Sequence, residues 1–260
     1  MCTDQILSLL TGIGTLDASL IALFTLLEIK RQRKESNKPE PAIKSTLIGV
    51  YGIEFKDYYF PFNFSQSNDT ESESKNDIMD FRLDLVNVGI RSAKNIKVLW
   101  EFDFKNAIDC IEKINQDGLF KINHSVKSLE ILFPKADYKE FNMISNQLGE
   151  KQYDFLLNST PESFDTIYLN IPIAVLKLYV IKLCLLLGYY KSDKSTQPKK
   201  VEFGKFPKLI LKINYEDIAG VPYKKTFDFD IDLFSFTNPM TTKLGHKIGE
   251  LIIKANEVKK

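Results

Sequence analysis

The sequence predicts an α+β protein with an N-terminal transmembrane helix, followed by a mainly β, sandwich-like cytoplasmic domain with inserted helices and a C-terminal helix. Three observations lead there. An apolar run from Ile6 to Ile29 is closed by a basic cluster. Strand-like runs rich in Val, Ile, Tyr and Phe recur from Thr46 to Phe234. Between and after them lie segments with helical periodicity, the last from Met240 to Val258. The organisation read from these is an anchor with its basic stop over 1–34, a linker over 35–42, and a β-rich domain over 43–260.

The first run holds 24 residues, enough for a hydrocarbon core, which needs about 20 in helix. Lys30, Arg31, Arg33 and Lys34 follow it at once, and Lys38 comes further on. Before it stands only Asp4 among charged residues. The positive-inside rule then puts the N-terminus outside and the bulk of the chain in the cytoplasm, at the inner (plasma) membrane. A cleaved signal peptide needs the opposite charge order and a small-x-small site after the run. A buried or surface-lying amphipathic helix is the other alternative.

The faces of this helix differ. At about 100° per residue, Ser8, Thr11, Thr15, Ala18, Ala22 and Thr25 share one arc, and Leu9, Leu16, Leu20, Leu23, Phe24 and Leu27 lie opposite. Small residues let helices approach closely in lipid, and hydroxyls can bond between them. The stripe reads as an oligomer contact or as the lining of a narrow wet pore. Asp17 lies about 60° outside the arc, at a subunit flank. A carboxylate near mid-bilayer costs several kcal/mol unless paired, protonated or wetted. A homo-oligomer in membrane lipid is therefore expected.

Glu35 to Ala42 is polar and proline-bearing, a short linker. Thr46 to Phe55 and Asp57 to Phe64 read as a hairpin, and Ser65 to Asp77 as an acidic, serine-rich loop. Ile78 to Val88 alternates at period two, Asn87-Val88-Gly89 turns, and Ala93 to Asp103 returns as a strand with the single Trp100. Lys105 to Gln116 reads as a short helix. Leu119 to Ile122, Leu129 to Phe133 and Asp165 to Asn170 read as strands, and Asp137 to Gly149 as a helix. Ile171 to Leu187 is strongly apolar, opened by Pro172. Lys177 and Lys182 on different faces favour a core helix there over a second span. Phe206 to Tyr215 and Tyr223 to Phe234 form a hairpin through Asp217-Ile218-Ala219-Gly220. Met240 to Val258 reads as an amphipathic helix with Leu244, Ile248, Leu251, Ile252 and Ala255 on one side.

Several functional classes are disfavoured. A formal net charge of +1 argues against a duplex nucleic-acid binder. Cys2, Cys110 and Cys184 are widely spaced and fit a reducing compartment. His124 and His246 are the only histidines, there is no CxxC, and a zinc site is not expected. No GxSxG, Walker loop or HExxH occurs. Neither catalysis nor a cofactor is expected.

The span with Lys30, Arg31, Arg33 and Lys34 precedes Leu85-Val86-Asn87-Val88-Gly89 and Ala93-Lys94-Asn95-Ile96-Lys97-Val98. Leu209 to Tyr223 follows, with Tyr215, Asp217 and Gly220 in its closing hairpin. This order resembles small prokaryotic membrane-anchored proteins with one N-terminal span and a cytoplasmic β-sandwich-like domain, of the kind seen among anti-phage defence membrane effectors. The resemblance covers about half the chain. It implies a cytoplasmic sensor that controls an oligomeric membrane pore, often through a nucleotide or oligonucleotide signal.

Two clusters are candidate sites. Seven lysines lie between Lys191 and Lys212 against Asp193 and Glu202. Among them Lys199, Lys200, Lys205 and Lys208 are the candidate ligand-binding residues. They suit a phosphate-bearing small molecule or an oligonucleotide signal, or the anionic leaflet; a solvated loop is the plainer reading. Phe227-Asp228-Phe229-Asp230-Ile231-Asp232 alternates, so a strand sets three aspartates on one face, as a solvent face or a cation site. The function expected is an oligomeric, pore-forming membrane effector. The alternative is a membrane-tethered scaffold whose β domain recruits a partner protein.

Overall fold

The computed structural model describes residues 3–36, 38–55, 58–66, 82–115, 118–134, 138–144, 148–159, 165–187, 206–236 and 247–258. Helix α1 runs from Thr3 to Ser36. After it come strands β1 (Pro41–Ile43), β2 (Thr46–Phe55), β3 (Tyr58–Gln66), β4 (Arg82–Asn87) and β5 (Ala93–Glu101), then helix α2 (Phe104–Glu112). Next are β6 (Lys121–His124), β7 (Ser128–Phe133), β8 (Tyr138–Met143), β9 (Lys151–Leu156) and β10 (Thr166–Asn170), and helix α3 (Ile173–Leu187). The chain closes with β11 (Leu209–Asp217), β12 (Pro222–Phe236) and β13 (Lys247–Glu257). Among the described residues the protein is thus a β-rich α+β fold with three helices.

Among the described strands every neighbouring pair is antiparallel. Seven strands form one sheet in the order β3-β2-β13-β12-β11-β5-β9, while β1-β4-β10 and β6-β7-β8 form two smaller sheets. One continuous apolar core draws on all three sheets and on α2 and α3. Leu83 and Leu85 of β4 meet the core from the small sheet, and Ile96, Val98 and Trp100 of β5 from the large one. Trp100 packs on Phe229 with ring centroids 5.3 Å apart.

Several expectations are met. The β2–β3 hairpin, β4, β5, α2, β6, β7, β10 and the β11–β12 hairpin fall where the patterns put them. Asp103 caps α2 by accepting from the Asn106 N–H at 3.0 Å. Asp217 holds the β11–β12 turn by accepting from the Val221 N–H at 2.9 Å, and Gly220 takes a φ of +83°, which suits glycine. Helix α3 is a core helix: Ile173 to Ile181 are all buried. Its lysines find partners inside the protein. Lys177 donates to Asn142 Oδ1 at 3.2 Å, and Lys182 lies 4.8 Å from the centre of the Phe206 ring.

Three expectations are corrected. The C-terminal helix is a strand, β13, inserted between β2 and β12. Lys247–Glu257 holds helix-favouring Leu, Glu, Lys and Ala, yet two flanking strands offer hydrogen bonds to both its edges, and pairing overrides propensity. Leu251 and Ile253 point inward while Lys254 is exposed, a period of two. Asp137 to Gly149 is not a helix either: Tyr138–Met143 pairs with β7 as β8. Finally, β5 does not return beside β4. The Asn87-Val88-Gly89 turn carries the chain from the small sheet to the large one. Strand β9, paired to β5, gave no recognised signal. The acidic loop over Ser65 to Asp77 falls almost wholly outside the described residues.

The described side chains of α1, Gly14 to Gln32, are exposed all round. Leu16, Ile21, Phe24 and Leu26 are each more than 60% exposed, a high apolar exposure for a folded chain. Among the described residues no helix is long and apolar enough to cross a membrane. Within Gly14 to Gln32, Asp17, Glu28, Lys30 and Arg31 interrupt the apolar run.

Candidate functional site

A dense polar cluster lies where the chain leaves α1 and enters the β domain. Pro39 and Pro41 lack an N–H and fix φ, and each presses the residue before it, Lys38 or Glu40, toward extended backbone. Lys38 to Ile43 is therefore a stiff strap, whereas the sequence reads 35–42 as a linker. Its last three residues pair with β4, Pro41 opposite Asn87 and Ile43 opposite Leu85.

Side chains of the domain take up the strap's backbone groups in turn. Tyr215 donates its hydroxyl to the Pro39 carbonyl at 3.2 Å. Asn87 accepts the Glu40 N–H at 2.8 Å, and the Val88 N–H donates to the Glu40 carbonyl at 3.0 Å. Lys225 donates to the Pro41 carbonyl at 3.0 Å. Gly89 packs so closely that a Cβ there would stand 2.4 Å from the Lys38 carbonyl oxygen.

Asn87 is fully buried and its amide is fully used. Oδ1 accepts from Glu40 and also from the Gly89 N–H at 3.0 Å; Nδ2 donates to the Arg91 carbonyl at 2.7 Å and, more weakly, to that of Leu156 at 3.5 Å. One side chain so joins the strap, the β4–β5 turn and β9. Lys225 is the second pin. Its side chain is 5% exposed, yet it faces the carboxylates of Glu40 and Glu257, the latter at 3.1 Å. With Pro41 these three acceptors use all three ammonium protons. Burial works against ionisation of Glu40, but hydrogen bonding and charge from Lys225, with Lys38 adding to them, hold its carboxyl below the usual range. Burial pushes the Tyr215 hydroxyl well up, reinforced by the Glu40 charge, so it stays a donor. Tyr215 stacks on Tyr223 at 5.5 Å, and Lys38 lies 5.9 Å from the Tyr223 ring centre.

This arrangement fixes the strap to the domain through its backbone groups. It has no paired nucleophile and base. Among the described residues no group of three or more His, Cys, Asp or Glu could hold a metal. His124 stacks on Phe104 at 5.2 Å, and Cys110 is a free thiol.

The residues singled out from sequence lie elsewhere. Thr15, Asp17, Ala18, Ala22 and Thr25 are exposed on α1, while the side chains of Ser8 and Thr11 fall outside the described residues. Thr25 Oγ1 donates to its own Ile21 carbonyl and Ser19 Oγ to Thr15, both at 2.8 Å. Such back-bonding satisfies a hydroxyl in apolar surroundings without a partner helix. Lys199, Lys200 and Lys205 lie outside the described residues. Lys208 bridges Asp228 at 3.1 Å and Asp230 at 3.0 Å, so one lysine of the expected ligand loop and two aspartates of the alternating strand neutralise each other. Hydrogen bonding to Asp230 and Asp228 raises Lys208, and the Lys208 bond lowers Asp230.

The strap pins were missed in sequence, although the signal was present. In Tyr223-Lys225-Phe227-Phe229-Ile231, a lysine occupies a core position of a period-two strand. In Leu83-Leu85-Asn87 an asparagine does the same. A polar residue on the apolar phase of a strand marks a buried partner. No protein-family model matches the chain, and no curated protein or solved structure matches it either.

Proposed function

We propose that the chain is an oligomeric membrane effector. In this reading α1 is the anchor and the assembly element, and the β-rich domain, whose three sheets share one core, is a sandwich-like cytoplasmic sensor. The strap Lys38–Ile43 passes the sensor's state to the helix. The observation that carries the reading is the strap itself. A helix whose described side chains, Gly14 to Gln32, are all exposed is followed, one residue after its end, by a segment held to the domain through four backbone groups. A plain tether needs no such attachment, because a flexible linker keeps two parts together without one. A stiff connection transmits displacement, which coupling between two sites requires. Pore formation and a role in prokaryotic anti-phage defence follow from the architectural resemblance and belong to the same proposal.

The test is expression of the full chain in bacteria with a membrane-potential dye, alongside membrane flotation. Depolarisation by the parent chain, abolished by Gly89→Ala with flotation retained, supports a coupled pore. Flotation with no depolarisation under phage challenge favours the tethered scaffold. A chain that does not float with membranes overturns the anchor.

A further inference from the structure

The strap emerges at one end of the β domain, and the register of the sheets brings several loop tips to the same end. Ala93 opposes both Asp217 and Leu156, so the β4–β5 turn, the β11–β12 turn and the residue after β9 sit side by side. Each presents an apolar side chain to solvent: Val88 and Ile90, Ile218, and Leu157, between 51% and 65% exposed. Arg91 is exposed among them, and Lys94 reaches across to the Ile218 carbonyl at 3.2 Å. The Val88 N–H is itself bonded to the strap, so the tips lie beside the chain's path from α1.

The acidic groups of this end are hydrogen-bonded within the protein, while Glu40 and Glu216 stay partly exposed. Glu40 faces Lys225, Asp217 accepts from the Val221 N–H, Glu216 accepts from Asn95, and Asp165 accepts the Leu157 N–H at 2.7 Å. Beside these paired carboxylates the apolar tips and Arg91 face solvent. That combination binds the headgroup region of an anionic leaflet, apolar tips entering the interface and cations meeting lipid phosphates.

We propose that this end of the domain docks on the anionic surface of the bilayer that holds α1, through Val88, Ile90, Leu157 and Ile218 with Arg91 and Lys94. The proposal rests on α1 being a membrane anchor. Chain continuity selects the occupant. Only Asn37 separates the end of α1 from Lys38, and Lys30, Arg31, Arg33 and Lys34 of the same helix carry the matching charge. A docked domain also gives the strap a fixed base, so that lifting the domain off the bilayer pulls on α1.

The experiment uses the full chain reconstituted in vesicles containing brominated phosphatidylcholine, with and without phosphatidylglycerol, after flotation. Trp100 is buried and supplies a constant background. Ile90→Trp and Ile218→Trp report on the docking end. Lys105→Trp, exposed just past the opposite end of the nine-residue β5, is the control, roughly 30 Å away. Several-fold stronger bromine quenching at positions 90 and 218 than at 105, increased by phosphatidylglycerol, is expected. Equal quenching at all three positions in a chain that floats overturns the docking and leaves the anchor standing. A chain that fails to float overturns the anchor, and the docking with it.

Discussion

The Glu40 carboxylate accepts a hydrogen bond from the Lys225 ammonium across 185 positions of sequence, joining the segment that leaves α1 to the middle strand of the seven-stranded sheet. The lysine is buried and the carboxylate more than a third exposed. The pair is therefore asymmetric: water can replace Lys225 for Glu40, but nothing outside the protein can replace Glu40 for Lys225. Its value lies in fixing the strap's position more than in net stability, since a buried ion repays its desolvation only when fully bonded.

Lys225→Met tests that asymmetry. Methionine keeps most of the apolar stem, the two carboxylates return to water, and the Pro41 carbonyl loses its donor. The expected loss is about 1 kcal/mol in chemical denaturation, the order of one unpaired hydrogen bond. Hydrogen exchange at the Glu40 amide should nevertheless rise clearly. A loss of several kcal/mol with unchanged exchange would show a core role for Lys225 and no role in holding the strap.

Gly89→Ala attacks the same strap without touching a charge. The added Cβ meets the Lys38 carbonyl oxygen at 2.4 Å and the Glu40 nitrogen at 2.5 Å, both backbone atoms that cannot rotate away. Overpacking of this kind costs about 1–3 kcal/mol. Gly14→Ala is the control, because nothing lies within 4 Å of a Cβ there. Thermal unfolding should fall for the first and stay level or rise for the second.

Glu40 should make the junction acid-sensitive. Its folded-state pKa lies below the ordinary 4.5, so its contribution is fully present above that value and is lost as pH falls through the lower, folded value. Glu40→Gln removes that contribution. The stability difference between parent and Glu40→Gln should be constant from neutral pH down to about 4.5 and then shrink on acidification. A difference that grows on acidification would reverse the assigned sign.

How much was legible in the sequence follows from where the information sits. Alternation identified β4 and the middle of β12 because their facing sides have opposite polarity. The stretch from Lys247 to Glu257 misled because Leu251 and Ile252 satisfy a helical stripe while Leu251 and Ile253 satisfy a strand. Only β2 and β12 on either side decide between them. Lysine counting over 191–212 found charge but not its partners: Lys208 and Lys212 are engaged by Asp228 with Asp230 and by Glu101, residues far off in sequence. The strap escaped for the same reason. Its prolines suggest a linker locally, and its pins come from β4, β11, β12 and β13.

The Lys208 ion pairs give a prediction that separates fold from ligand sensing. The lysine side chain is 48% exposed, so its two bridges are surface pairs, worth about 0–1 kcal/mol together. Lys208→Ala should barely move the denaturation midpoint. If the 191–212 loop senses a phosphate-bearing ligand, substituting Lys199, Lys200 and Lys205 should weaken the cellular response, and Lys208→Ala alone should weaken it less, because Asp228 and Asp230 already occupy it. Equal loss from Lys208→Ala would place that residue at the ligand and break the proposed division.

The remaining prediction tests the proposed assembly of α1 in membranes. Thr25 already bonds the Ile21 carbonyl of its own helix, so its hydroxyl donor is spent. Thr25→Val keeps the shape and removes only that bond, and disulfide-free chemical cross-linking in membranes should give the same oligomer ladder. Ala22→Leu and Ala18→Leu fill the small-residue stripe, push helices apart and should shorten the ladder, since close approach in lipid rests on packing of small residues. Asp17→Asn retains hydrogen bonding and should assemble, whereas Asp17→Leu removes the polar group that lipid penalises and should shift the balance toward single helices. If Thr25→Val disrupts assembly as strongly as Ala22→Leu, the helices are joined by hydroxyl bonds between chains, and the stripe acts as a polar seam in place of a packing surface.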